Sequence, residues 1–279
     1  MTDISGTSTP ADTPAELLAV AVAIARDAGD TALRMRAEAI QDVQTKSTDT
    51  DVVTAADRTV ERQVVAALRD RRPGDTVLGE EYGAADGGGA GPARTRWILD
   101  PIDGTVNYLY GLPAYAVSLA AEVDGEVVAG VVRNPVTGDE WTATRGGGAW
   151  RDGRRLTGST RRTLDQALVG TGFGYDPARR VHQGAVLAGL IGRIRDIRRI
   201  GVASIDLCLA AEGRLDAYFE KGLNAWDHAA GGLVATEAGL RVAGLRGAPA
   251  GPDLLVAAPP ALFDALHDAL AELDAAGGP

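Results

Sequence analysis

Residues 99–111 read LDPIDGTVNYLYG, and they follow an apolar run at 95–99 that predicts a buried strand. Asp100 and Asp103 stand three residues apart, with a proline after the first and Gly-Thr after the second. Proline and Asp-Gly are ordinary turn residues, but a turn does not need two acids. Two carboxylates beside a buried strand repel each other unless a cation lies between them.

A hard, oxygen-binding cation such as Mg²⁺ is the simplest partner for this pair, because it takes carboxylates, backbone carbonyls and waters as ligands. The three histidines and the single cysteine offer no zinc-type ligand set. If a helix turn begins at Gly104-Thr105, its free backbone N–H groups form an anion site. Metal-binding carboxylates beside an anion site indicate a phosphate ester as the ligand.

The composition is that of a soluble globular protein of 279 residues, 45% hydrophobic and 24% charged. The net charge of −10 argues against nucleic-acid binding, which needs a basic surface. Bound metal ions would make an acidic pocket attractive to phosphate. We expect a disordered tail at 1–12 with no signal segment, no membrane span and a cytoplasmic location. Cys208, in an apolar run, is predicted to be a core residue.

The first half of the chain predicts helices followed by a largely antiparallel sheet. Apolar residues at helical spacing predict a helix from Pro14 to about residue 40. A polar, mobile loop is then expected, followed by a second helix that starts near Asp57. Strand-like runs joined at Asp124-Gly125 predict an antiparallel hairpin, and another strand pair brackets Thr137-Gly138.

From about residue 155, strand-like and helix-like stretches alternate, which is typical of an α/β layer. Two helices are predicted to end at Gly213 and Gly239, with a strand in LDAYFE between them. The predicted class is therefore α/β, with an α+β half at 13–155 and an α/β half at 156–279 in one compact catalytic unit.

Four acidic sites lie at the edges of predicted elements, where α/β proteins bind ligands. Taken singly, most have ordinary explanations, such as an acid that caps a helix start or a solvated strand end. Two acids in one turn are not explained in that way. The four sites are Asp57, Glu80-Glu81, Asp100 with Asp103, and Asp227.

Four separated segments resemble the inositol monophosphatases, which belong to a superfamily of Mg²⁺-dependent, lithium-sensitive sugar phosphatases. DPIDGT with a distant WDxAAG is a specific pair, and the segments span nearly the whole folded chain. The resemblance implies a layered α-β-α-β-α sandwich of the inositol monophosphatase and fructose-1,6-bisphosphatase type, phosphoric monoester hydrolase activity and a homodimer. The segments are KSTDTDVVTAAD (46–57), GEE (79–81), WILDPIDGTVNY (97–108) and GRLDAYFEKGLNAWDHAAG (213–231).

The same resemblance implies roles at matching positions, with two or three Mg²⁺ ions per site and Mn²⁺ as a possible substitute. Catalysis by a metal-activated water is assigned to Asp57, Thr105 and Glu80. The metal ligands are Glu80, Asp100, the carbonyl of Ile102, Asp103 and Asp227. Substrate contacts are assigned to Asp103, Gly104, Thr105, Ala203, Glu220 and Asp227. A mobile loop begins at Lys46, and Glu81 is the acid beside a metal ligand.

The substrate depends on residues other than the metal ligands. Relatives commonly carry Gly-Ser-Ala-Ala or Gly-Thr-Ala-Ala where this chain has Gly201-Val202-Ala203-Ser204, so recognition of substrate hydroxyls can differ. Glu220 suits a small phosphorylated polyol and favours inositol 1-phosphate. The alternatives are histidinol phosphate, fructose 1,6-bisphosphate and 3′-phosphoadenosine nucleotides. A regulatory binding protein without turnover is the alternative of another class, with basic stretches 151–162 and 193–199 as partner surfaces.

Overall fold

The computed structural model describes residues 13–42, 49–85 and 94–279. The predicted tail at 1–12 and the predicted loop residue Lys46 lie outside these ranges. Within them, no helix combines the length and the apolar character needed to cross a membrane. The helices of the described chain are α1 Pro14–Asp42, α2 Asp49–Arg71, α3 Thr105–Tyr110, α4 Pro177–Leu190, α5 Ala203–Ala211, α6 Ala225–Glu237 and α7 Pro260–Glu272.

The first sheet has eight strands and is largely antiparallel, as predicted. Its strands are β1 Thr76–Gly79, β2 Gly83–Ala85, β3 Thr95–Asp103, β4 Ala116–Val123, β5 Glu126–Arg133, β6 Glu140–Thr144, β7 Gly148–Arg151 and β8 Arg154–Arg155. Their spatial order is β2-β1-β3-β4-β5-β6-β7-β8, and the β1–β3 pair is parallel. Asp124 and Gly125 join β4 to β5 with φ of 51° and 86°, as a tight hairpin turn requires.

The second sheet has five strands in the spatial order β10-β9-β11-β13-β12. They are β9 Leu168–Thr171, β10 Asp196–Arg198, β11 Ala217–Glu220, β12 Arg241–Ala243 and β13 Leu255–Ala258. The first three in space are parallel, and β13 is antiparallel to both of its neighbours. Gly213 and Gly239 follow α5 and α6 with positive φ, which confirms the predicted helix ends. A division into halves at 13–155 and 156–279 stays a prediction.

The helices and sheets stack in five layers. Helices α1 and α2 cover one face of the first sheet, α5 and α6 lie between the sheets, and α4 and α7 cover the outer face of the second. On β3, Trp97 and Leu99 pack towards α1 and α2, whereas Ile98 packs towards α5 and α6. On β11, Tyr218 faces the inner helices and Phe219 faces the outer ones. The predicted α-β-α-β-α sandwich is confirmed.

Small residues let α6 pack very closely in the middle layer. A Cβ built on Gly130 of β5 would lie 3.0 Å from the Cα of Ala230 in α6. A Cβ built on Gly231 would lie 3.0 Å from the Ser204 carbonyl oxygen in α5. A larger side chain at either glycine would therefore push α6 outwards. Since Asp227 lies in the first turn of α6, this close packing fixes where its carboxylate lies.

The predicted start of the second helix near Asp57 is wrong. Helix α2 begins at Asp49, so Asp57 lies more than two turns inside it. The polar stretch before Asp57 carries Asp49 and Asp51, and acids favour the first turn of a helix because they complement its dipole. Cys208 is free and buried in the core, as predicted.

Candidate active site

A bulge at the end of β3 turns Asp100 and Asp103 to the same side of the sheet. Side chains alternate along a strand, so residues three apart ordinarily face opposite sides. Here Asp100 pairs with Ser118 and Asp103 pairs with Ala116, with a register shift between the two pairs. Because Ser118 and Ala116 lie two apart on β4 and share a face, their partners share it as well. The bulge thus brings both carboxylates to the inner layer.

Asp100 is buried among other acids. Its Oδ1 accepts a hydrogen bond from the Ile102 backbone N–H at 3.1 Å, which closes the turn after the strand. Burial raises the pKa of Asp100 well above its usual range, and the charges of Glu80, Asp103 and Asp227 raise it further. These four carboxyl groups from three elements are therefore electrostatic neighbours.

Asp103 is buried and accepts two short hydrogen bonds from one residue. The backbone N–H and the hydroxyl of Ser204 both donate to its Oδ2, at 2.7 and 2.6 Å. Burial raises the pKa of Asp103 to about 6, and hydrogen bonds from Ser204 and the Ala203 backbone limit the rise. The start of α5 thus orients a carboxylate that β3 carries.

Asp227 has both the ordinary helix-start role and a place in the acidic cluster. The Asn224 backbone N–H donates to its Oδ2 at 2.6 Å, which satisfies a free donor at the start of α6. Burial raises the pKa of Asp227 to about 8, and the charge of Asp103 contributes. Capping consequently leaves this carboxylate beside the β3 acids.

The acids of the first half approach the cluster from α2 and from the end of β1. Burial raises the pKa of Asp57 to about 8, and the negative charges of Glu80 and Glu81 contribute to the rise. Its Oδ1 has no hydrogen-bond partner among the described residues. Desolvation raises the pKa of Glu80 to about 7, whereas Glu81 forms an ion pair with Arg58 at 3.3 Å.

The turn that is predicted to bind an anion begins where the sequence predicts it. Helix α3 starts at Thr105, and Gly104 before it has φ of 93°, which favours glycine. A Cβ at Gly104 would lie 2.7 Å from the Val202 side chain, so the two turns lie in contact. The Thr105 hydroxyl donates to the Ile102 carbonyl at 3.4 Å. No hydrogen bond between Thr105 and Asp57 is present within the described chain.

A cleft of about 380 Å³ opens over these groups. It brings together six predicted site residues, which are Glu80, Asp103, Gly104, Ala203, Glu220 and Asp227. Its lining does not include the other predicted residues of the described chain, namely Asp57, Glu81, Asp100, Ile102 and Thr105. Of these, Asp57 and Asp100 are nevertheless linked to the cleft by charge, because the negative charge of Glu80, which lines the cleft, raises the pKa of both.

Glu220 lines the same cleft as Asp103. The Tyr218 hydroxyl donates a short hydrogen bond to its Oε2. Burial raises the pKa of Glu220 to about 7, while the Tyr218 hydrogen bond and the positive charge of Arg199 oppose the rise. Arg199 and Arg179 also line the cleft and bring positive charge to it.

Several of these supporting residues were missed from sequence. Arg179 and Arg199 lie in stretches that read as ordinary charged segments. Glu61 was also missed, although it accepts the backbone N–H groups of Glu81 and Tyr82 at 2.9 and 3.1 Å. By doing so it anchors the turn that carries Glu80. The only signal for Glu61 is an acid on a helix face that is otherwise apolar.

The chemistry of the donor set fits a hard cation. It consists of carboxylates and one backbone carbonyl, which are the ligands that Mg²⁺ and Mn²⁺ take. The orphaned, buried Oδ1 of Asp57 and the mutual repulsion of its neighbours indicate that positive charge is missing. Across the described ranges, no three acids, histidines or cysteines already converge as a metal-ligand group. Binding of a cation would therefore require at least some of these side chains to turn towards the others.

Comparisons with known proteins give the class. A sequence model of the inositol monophosphatase family matches residues 13–275. The inositol-1-monophosphatase of Mycobacterium leprae is 44% identical over 277 residues, covering 94% of this chain and 95% of that protein. The solved structure of Mycobacterium tuberculosis SuhB has a TM-score of 0.81 and 40% identity, covering 96% of this chain and 100% of that one.

A third relative has a different name. The Nus factor SuhB of Pseudomonas aeruginosa is 42% identical over 227 residues, which cover 80% of this chain and 83% of that protein. The chain belongs to the inositol monophosphatase family. It is a phosphatase, and its family is generally metal-dependent.

Proposed function

We propose that this chain hydrolyses inositol 1-phosphate to myo-inositol and phosphate with the help of Mg²⁺. The observation that carries the proposal is the cleft, whose lining brings Glu80, Asp103 and Asp227 together with Gly104, just before α3, and with Glu220. The first three acids suit cations that hold a phosphate, and Glu220 suits the hydroxyl groups of a polyol.

In this proposal Glu80, Asp100, the Ile102 carbonyl, Asp103 and Asp227 hold the metal ions. When bound, Mg²⁺ supplies charge neutralisation and lowers the pKa of a water molecule. The residues of the chain then position the reactants: backbone N–H groups at the start of α3 face the phosphate.

Asp57 is the proposed proton acceptor. Its Oδ1 is free of hydrogen bonds within the described chain, and it lies buried next to the acid cluster. A carboxylate held in this way accepts a proton near neutral pH more readily than an exposed one. Thr105 completes the pair after its hydroxyl turns from the Ile102 carbonyl towards Asp57.

Glu220 supports the choice of a polyol substrate. The hydrogen bond from Tyr218 engages only one of its oxygens, Oε2, so Oε1 is available to accept from substrate hydroxyls. The relative from Mycobacterium leprae is named an inositol-1-monophosphatase, which favours the same substrate class. A homodimer, a cytoplasmic location, lithium sensitivity and the number of metal ions stay predictions.

The regulatory alternative has support from the relative named Nus factor SuhB. The basic stretches at 151–162 and 193–199 give the regulatory alternative little further support, because several of their arginines are already in ion pairs. Arg151 contacts Glu212 at 2.7 Å, and Arg193 contacts Glu272 at 2.6 Å. Paired arginines leave less positive charge for a partner.

A panel of phosphate esters assayed with and without Mg²⁺ tests the proposal. We expect inositol 1-phosphate to be hydrolysed fastest and only when Mg²⁺ is present. Faster release of phosphate from histidinol phosphate or fructose 1,6-bisphosphate would overturn the substrate assignment. An absence of Mg²⁺-dependent activity on the whole panel would contradict the proposed mechanism.

A further inference from the structure

We propose that Ser204 is a positioning residue, which fixes the Asp103 carboxylate so that Oδ1 alone is offered to the ligand. The inference rests on the proposed function, because Asp103 is one of the proposed metal ligands. It concerns a residue at which this chain departs from the family pattern, with serine in place of the more common alanine.

The geometry carries the inference. Ser204 is fully buried and Asp103 is 8% exposed, so bulk water does not compete for their contact. The Ser204 N–H and hydroxyl both reach the same oxygen, Oδ2, at 2.7 and 2.6 Å. The N–H belongs to the first turn of α5, where backbone donors have no partner within the helix. Asp103 therefore satisfies both donors of a single residue.

The Ser204 hydroxyl restricts the carboxylate more than the backbone donors of the same turn do alone. The last torsion of an aspartate side chain is broad and roughly two-fold, so the backbone N–H groups of Ala203 and Ser204 by themselves leave the carboxylate more freedom to rotate or exchange its oxygens. The hydroxyl approaches Oδ2 from a second direction and selects one orientation. Preorganised ligands bind a metal more tightly because they lose less freedom on binding.

The neighbouring Val202 has a different task. It is buried, and its Cγ2 lies 2.7 Å from where a Cβ on Gly104 would be. Val202 thus packs the α5 turn against the turn that follows Asp103, while Ser204 makes the polar contact. The apolar residue sets the distance between the two turns, and the hydroxyl sets the orientation of the carboxylate within that distance.

The test is calorimetric titration of Mg²⁺ into the metal-free full-length chain. We expect Ser204→Ala to weaken Mg²⁺ binding about tenfold, because a charge-assisted hydrogen bond is lost at a ligand. Turnover of inositol 1-phosphate at saturating Mg²⁺ should stay within about threefold of the parent. Ser204→Cys, which keeps the size but donates weakly, should weaken Mg²⁺ binding in the same direction.

Ser159→Ala is the matched control, since Ser159 also donates its hydroxyl to a carboxylate, that of Asp216, outside the cleft. It should leave Mg²⁺ affinity unchanged. Unchanged or tighter Mg²⁺ binding in a folded Ser204→Ala protein, as judged by circular dichroism, would overturn the positioning role. If the parent chain itself binds no Mg²⁺, the proposed function is contradicted. That outcome is distinguishable from Mg²⁺ binding that is present in the parent chain and unchanged in Ser204→Ala.

Discussion

Two groups of buried acids in this molecule have opposite surroundings. Glu61, Glu212 and Asp216 each accept hydrogen bonds from donors that the fold supplies. The Glu212 side chain is 2% exposed and lies 2.7 Å from Arg151, and Asp216 accepts the Leu168 N–H at 2.8 Å. These acids are built into the structure as satisfied groups.

The acids that line the cleft, and Asp57 and Asp100 beside it, have mainly other acids as charged neighbours. For Asp100 the nearby charges of Glu80, Asp103, Asp227 and Asp57 all raise the pKa. For Asp57 every charged neighbour that affects the pKa is an acid. Groups of this kind cluster at functional sites. The comparison therefore separates structural acids from those that we propose to bind a cation.

The largest expected effect comes from removing a charge in the cleft. Asp103→Asn should lower turnover of inositol 1-phosphate by about a thousandfold at saturating Mg²⁺, because a ligand charge is lost where the transition state needs it. Its unfolding free energy should be unchanged or higher, since repulsion among the acids falls. Steady-state kinetics and urea denaturation measure the two effects. Near-normal turnover would remove Asp103 from the metal ligands.

Removing a structural acid should have the opposite effects, so that stability falls and turnover is kept. Glu212→Ala removes one of the ion pairs of Arg151 and the acceptor for the Trp141 indole N–H. We expect the unfolding free energy to fall by about 3 kcal/mol. Turnover of the folded fraction should stay the same, as Glu212 does not line the cleft. A loss of turnover without a loss of stability would contradict the division into two groups.

The smallest effect concerns pH. In the metal-free protein, the pKa values of Asp57 and Asp227 are raised to about 8. Raised carboxyl pKa values mean that the folded state binds more protons than the unfolded state between about pH 4 and pH 8, so stability falls as pH rises through that window. We expect the melting temperature without metal to fall from about pH 5 to about pH 8.

Added Mg²⁺ should reverse this drop, because it stabilises the ionised carboxylates and binds only the folded state. The melting temperature at about pH 8 should therefore rise more on adding Mg²⁺ than that at about pH 5. Differential scanning calorimetry with a chelator and then with Mg²⁺ makes the comparison. Equal rises at both pH values would contradict the assignment of these acids to a cation site.

Local patterns predicted much of this structure. The Asp124-Gly125 hairpin, the helix ends at Gly213 and Gly239 and the start of α3 all follow from residue types within a few positions. Helix α2 was placed wrongly at its start because the polar stretch before Asp57 resembles a loop. A prediction from apolar spacing gives no weight to acids, although acids favour the first turn of a helix.

The details of the site depend on contacts between distant parts of the chain. Ser204 lies 101 positions along the chain from Asp103, whose carboxylate it orients. Glu61 lies 20 positions from Glu81, whose backbone N–H donates to the Glu61 carboxylate. Neither contact produces a periodic pattern in the sequence by which it could be predicted. The resemblance named the acids of the cleft but not Ser204, Glu61 or Arg199, because those residues act through packing and hydrogen bonds that only the folded chain displays.

The register shift between Asp100 and Asp103 also has a consequence for evolutionary change. Deleting one of the two residues between them would remove the bulge and leave the acids two positions apart, so regular alternation would still turn both to the same side of the sheet. The strand would still pair, and the protein could still fold. What such a deletion would remove is the turn in which the Ile102 N–H donates to Asp100. A single-codon deletion at this point would thus change the detailed geometry of the site while keeping the fold and the shared face.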